Sequence, residues 1–205
     1  MQDWDEFEEL IDEANELFEN CLLEDAKELL EEIEERFPKE PETAFQLALI
    51  LEREPGKELE AQRLFKFAYD KDPEAFHLPI KISNDDLKKL ANEVLGKIKE
   101  PFKSDLKNLP IFIEELPSDD DLEAGEEPLS PSIWGLFQGR TATEDQDLGG
   151  ASHLEPPKIV IYRRNLCRDC ADLQELKREL KVTILHEVAH YFGLDEDEVA
   201  KLGLA

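Results

Sequence analysis

At 205 residues the chain has room for one ordinary domain and a smaller second one, which excludes a large multidomain enzyme. Its 51 acidic and 24 basic residues leave a net charge of −27, so DNA, RNA and anionic membranes would be repelled. Hydrophobic residues at 40% can supply a core, while 37% charged residues and 12 prolines predict solvated, irregular stretches between folded parts.

The chain opens MQDWDEFEEL, without the basic start or apolar run of a signal peptide or membrane helix, so a cytoplasmic protein is expected. From residue 7 to 69 apolar residues recur at helical spacing: Leu10, Ala14, Leu17 and Phe18, then Ala26, Leu29, Leu30, Ile33 and Phe37. Breaks at 20–23, 38–41, 55–56 and Pro73 leave four segments able to form two antiparallel helix pairs. Ala26, Leu30, Ile33 and Pro38 align with Ala61, Phe65, Ala68 and Pro73 at a constant offset of 35. That pattern resembles the second helix of a tetratricopeptide repeat, whose period is 34, with Phe45, Ala48 and Leu49 at first-helix packing positions. The alternative is a plain four-helix packing module, and both make residues 1–79 a scaffold or a partner-binding surface.

Beyond Pro79 the pattern changes. Residues 84–102 read as an amphipathic helix with Leu87, Leu90, Val94, Leu95 and Ile98 on one face, N-capped by Ser83 or Asn84. Three runs read as strands: 110–116 (PIFIEEL), 133–139 (IWGLFQG) and 158–162 (KIVIY), the last expected to be a sheet edge that pairs with an extended substrate. Residues 117–131 (PSDDDLEAGEEPLSP) read as an acidic loop with nothing to bury. The final long helix starts near Asp172, which forms a capping-box spacing with Glu175, carries Leu173, Leu176, Leu180, Ile184, Leu185, Val188 and Phe192 toward the sheet, and ends at Gly193. The expected class is α+β: an all-α helical-hairpin repeat domain at 1–79, then a compact α+β domain with a small sheet at 80–205.

On that helix stands His186-Glu187-Val188-Ala189-His190, the H-E-x-x-H spacing. One turn apart, about 6 Å along the axis, both imidazoles leave the same face and can bind one tetrahedral Zn²⁺. Glu187 sits beside such an ion without having to ligate it, the position of a general base in metal-assisted peptide hydrolysis. Only 15 residues follow His190, so a Glu ligand from a helix some twenty or more residues on does not fit. The class closed by a Met-containing turn fails as well, because the single Met is Met1. The third ligand is then sought in 193–198 (GLDEDE), where Gly193 lets the chain reverse: Glu196 stands at the third-ligand spacing, with Asp195 and Asp197 as alternatives.

Residues 182–203 (VTILHEVAHYFGLDEDEVAKLG) resemble the C-terminal signature of the minimal zincin-like metallopeptidase family, a bacterial group with H-E-x-x-H-x-x-G-x-x-D. The likeness extends upstream through LPIFIEEL, LFQGRTAT and KIVIYRR, covering roughly residues 80–205. The resemblance implies a zincin-like fold, zinc on His186 and His190, Glu187 as catalytic acid/base, and a carboxylate ligand at Glu196. Two positions depart from the pattern: Glu196 stands where Asp is usual, and Tyr191 where a further His is common.

Other candidates are weaker. Cys167 and Cys170 form a lone C-x-x-C that would be reduced in the cytoplasm. His153, Tyr162, Tyr191 and Arg140 could contact substrate or an oxyanion, and His77 reads as structural. The resulting expectation is a zinc metallopeptidase acting on a peptide or protein substrate, with a possible protein partner for the helical repeats and no nucleic-acid or membrane partner. The alternatives are an interaction scaffold with a structural zinc site, in which Glu187 is dispensable, and a peptidase fold that sequesters metal without cleaving.

Overall fold

The computed structural model describes residues 2–99, 102–124, 128–142, 144 and 156–203. It divides into two units, Met1–Leu78 with Pro117–Ser132 and Pro79–Leu116 with Ile133–Ala205. Among the described residues there are nine α-helices and a three-stranded mixed sheet, an α+β chain.

The first unit contains α1 (Gln2–Glu19), α2 (Leu23–Arg36), α3 (Pro41–Leu51) and α4 (Glu58–Lys71). Helix α1 buries Phe7, Ile11, Ala14 and Phe18, spaced four, three and four residues apart, so one stripe faces inward. In α2 and α4 the positions related by the offset of 35 are buried in both copies: Ala26, Leu30 and Ile33, and Ala61, Phe65 and Ala68. Helix α3 opens with Pro at its first position and buries nearly its whole second half, Leu47 to Leu51, as the packing partner of both α2 and α4. The turn after α1 closes as a Schellman motif. Leu22 N–H bonds Leu17 O at 2.9 Å and Cys21 N–H bonds Phe18 O at 3.0 Å, with Cys21 left-handed at φ 61°.

The acidic stretch after Pro117, expected as a loop, has structure and something to bury. Ser118 and Asp121 form a capping box for α6 (Asp119–Leu122), whose Leu122 is buried. Arg53 donates to Pro117 O at 2.7 Å and Cys21 Sγ to Leu129 O at 2.9 Å, so this segment docks on the helices of the first unit. Residues 125–127 lie outside the described ones.

In the second unit, Ser83 caps α5 (Asn84–Gly96) by accepting from Asp86 N–H. A 3₁₀ turn (Phe102–Asn108) leads into β1 (Ile111–Glu114); β2 (Gly135–Gln138) and β3 (Lys158–Tyr162) complete the sheet. Its order is β1-β3-β2, with β1 parallel and β2 antiparallel to β3. This corrects the expectation that 158–162 is an edge. Strand β3 is central, and Ile159, Val160, Ile161 and Tyr162 are all buried, the mark of a strand covered on both faces. The edge beside the long helix is β2.

After β3 come α7 (Arg163–Arg168), α8 (Leu173–Tyr191) and α9 (Glu196–Lys201). Asp172 accepts from Gln174 and Glu175 N–H to start α8, while Glu175 reaches back to Ala171 N–H rather than to Asp172, one residue off the expected box. Leu176, Leu180, Ile184 and Val188 form one ridge at four-residue spacing that joins Ile111, Ile159 and Ile161 in the core, whereas Leu173 is exposed. Helix α8 approaches β2 closely. A Cβ on Gly135 would stand 2.7 Å from Thr183 Cγ2, so glycine is required at that contact. At the junction of β1 and α7, Glu115 accepts from Arg163 and Arg164, which holds its carboxyl below the usual glutamate range.

Candidate metal centre

The C-terminal turn of α8 builds the site. Leu194 N–H bonds Ala189 O at 3.1 Å and Gly193 N–H bonds His190 O at 2.8 Å, a complete Schellman closure with Gly193 at φ 85°. The reversal returns the Leu194 carbonyl to 3.0 Å from His190 Nδ1. A carbonyl only accepts, so Nδ1 carries the proton and Nε2 presents a lone pair. That Nε2 lies 2.9 Å from His186 Nε2, an approach the four-residue spacing on one helix face allows.

Directly after the reversal Asp195 caps α9. Its Oδ1 accepts from Glu198 N–H, and Glu198 Oε2 accepts from Asp195 N–H. This box consumes the carboxylates of Asp195 and Glu198 and sets Glu196 on the first turn of α9. The Glu196 oxygens lie 3.2 Å from His190 Nε2 and 3.6 Å from His186 Nε2. One donor atom from each of His186, His190 and Glu196 falls within 4.8 Å of the others. Two ligands about 2.0 Å from a tetrahedral Zn²⁺ stand roughly 3.3 Å apart, so these separations suit that ion to within a few tenths of an ångström. Two imidazoles and one carboxylate are also a donor set zinc accepts. The histidines are partly buried, while the Glu196 side chain remains 75% exposed, so solvent reaches the group from its side.

Glu187, beside the two histidines, is held by the sheet. It is 6% exposed, and its Oε2 accepts from Phe137 N–H on β2 at 2.7 Å. Burial pushes its carboxyl above the ordinary value, opposed by His186 and His190. Trp134 O accepts from Tyr162 N–H, so alternate β2 residues face β3 and the main chain of Gly135 and Phe137 faces away.

The other sequence candidates fall apart from this group. Tyr191 is packed in the core, its ring 5.8 Å from Phe137 and its hydroxyl donating to Asp105 O. Tyr162 lies buried in the central strand, and Arg140 is buried as well. His153 lies outside the described residues, and His77 belongs to the first unit. Cys167 and Cys170 are buried free thiols that burial pushes up to about 11 and about 12, which keeps them protonated and unreactive as nucleophiles. Asp197 is exposed and outside the donor group. Residue types do not announce two contributors, the Phe137 N–H and the Leu194 carbonyl, because main-chain groups have no sequence signature; Gly193 was the one visible sign of the second.

Residues 106–204 match the family of zincin-like metallopeptidases. A search of curated proteins found no significant match.

Proposed function

On the match of residues 106–204 to the zincin-like metallopeptidase family, we propose that the chain is a zinc-dependent peptidase in which His186, His190 and Glu196 hold the ion. When bound, Zn²⁺ supplies an acidified water and a Lewis acid for the scissile carbonyl. The convergence of these three side chains within 4.8 Å carries the reading. Glu187 is the proton carrier. Phe137 N–H fixes its Oε2 at 2.7 Å, which leaves Oε1 as the oxygen that takes a proton and returns it to the leaving amine. Burial keeps bulk water from competing for that carboxylate. An extended substrate pairs with the outward main chain of β2 other than the Phe137 N–H that Glu187 takes, β2 being the edge strand beside α8, in place of β3.

The donor group, among the described residues, has three members rather than four, and its carboxylate is solvent-facing. That favours an open catalytic site over a closed structural one. The substrate is a peptide or unfolded protein segment, and the net charge of −27 favours basic or neutral sequences. The helices of the first unit serve as a tetratricopeptide-like surface for a protein partner, on the strength of the two buried patterns at the offset of 35. No helix among the described residues is long and apolar enough to cross a membrane.

The test is metal content and cleavage of an unfolded substrate by the full chain. Wild type should hold one zinc, and Glu187→Gln should retain it while losing about 10²–10⁴-fold in rate. Equal cleavage by Glu187→Gln would reject the general-base assignment and leave the zinc structural.

A further inference from the structure

Helices α5 and α8 pack on one another and leave a cleft of about 470 Å³ between them. That volume lies within the few-hundred-to-thousand Å³ range of small-molecule sites. One wall is a ridge at four-residue spacing, Leu90, Val94 and Ile98 from α5 and the residues after it, and the other is Leu180 and Leu185 from α8. Three ammonium groups stand at the rim, Lys97 on one side and Lys177 and Lys181, one turn apart, on the other; Glu93 is the single acid in the lining. Among the described residues none of these three lysines has a carboxylate oxygen within 4.0 Å. In a protein with 51 acidic residues, this lining holds three cations against one acid, around an apolar floor.

We propose that this cleft binds a single-chain amphiphile with a carboxylate head, a long-chain fatty acid, its tail along the leucine, valine and isoleucine ridges and its head among Lys97, Lys177 and Lys181. The repulsion of the distant acids does not forbid it. The Debye length at physiological salt is about 8 Å, so a carboxylate seated in the cleft feels the rim lysines while charges beyond that reach are screened. Leu185 precedes His186 directly, so the occupant would lie along the same helix that carries the metal ligands.

The experiment is calorimetric titration of the full chain with dodecanoate below its micellar concentration. One dodecanoate per chain is expected, with decanoate weaker by roughly tenfold for its two missing methylenes. The exposed double substitution Lys177→Gln/Lys181→Gln should weaken dodecanoate by about tenfold while circular dichroism shows the fold intact. Dodecyltrimethylammonium, with the same tail and opposite charge, should not bind at the site. Unchanged dodecanoate affinity in the double variant, equal binding of the cationic amphiphile, or no dodecanoate binding would each overturn the proposal. So would recruitment of the chain by phosphatidylglycerol vesicles, or binding of an acidic amphipathic peptide, without dodecanoate binding, which would make the cleft part of a membrane or protein surface instead.

Discussion

Gly135 offers the sharpest test of how α8 is held to the sheet. In a strand, Gly→Ala ordinarily stabilises by about 0.4–1 kcal/mol, because it restricts the unfolded chain. Here the new methyl would stand 2.7 Å from Thr183 Cγ2, with Ile161 Cδ1 and Val160 O both at 3.3 Å. The Thr183 contact cannot relax by rotation at no cost, because Thr183 Oγ1 donates to Glu179 O at 2.9 Å and χ1 of a β-branched residue is stiff. Overpacking of this kind costs about 1–3 kcal/mol. The net for Gly135→Ala is therefore a loss of about 1–2 kcal/mol, a fall in Tm of roughly 2–8 °C for a chain of this size. Thr183→Ser removes Cγ2 and keeps the hydroxyl, so it should recover most of the loss in the double variant, a coupling of about 1 kcal/mol or more in a thermal-melt cycle. Because Phe137 lies two residues along β2 and holds Glu187, the single variant should also lose cleavage rate, and the double variant should regain it. A neutral or stabilising Gly135→Ala, or strictly additive substitutions, would refute the reasoning that this approach is tight.

Three further outcomes follow from the structure. Glu196→Ala should weaken zinc binding in competition with a chelator by at least tenfold, whereas Asp197→Ala should leave it unchanged; the reverse order would move the ligand. Lys39, exposed at φ 74° in the turn between α2 and α3, pays a left-handed penalty, so Lys39→Gly should raise stability by about 1 kcal/mol in urea unfolding, and a loss would contradict the turn geometry. Glu115 is held below its ordinary 4.5 first by Arg163, so its contribution is present above that value and lost as pH falls through the lower folded value; Glu115→Gln should flatten the acid limb of a stability–pH curve, and an unchanged limb would show the pair contributes nothing.

The helices of the first unit were legible because burial in a helical pair repeats every three to four residues. Phe7, Ile11, Ala14 and Phe18 carry that period in the chain itself. The candidate metal group was legible for the same local reason: His186 and His190 are neighbours on any α-helix, and a glycine after the last turn announces the reversal that returns Glu196. Strand order was different. Lys158–Tyr162 reads identically as an edge or a centre until its two partners are known, and β1 and β3 meet across more than forty residues. The role of 117–132 was equally hidden, since bonds from Arg53 and Cys21 to main-chain carbonyls depend on no residue type in the acceptor. Glu187 shows both sides at once. Its place beside the histidines is a property of helical spacing, while the Phe137 N–H that orients it comes from fifty residues away, and only the packing of β2 against α8 brings the two together.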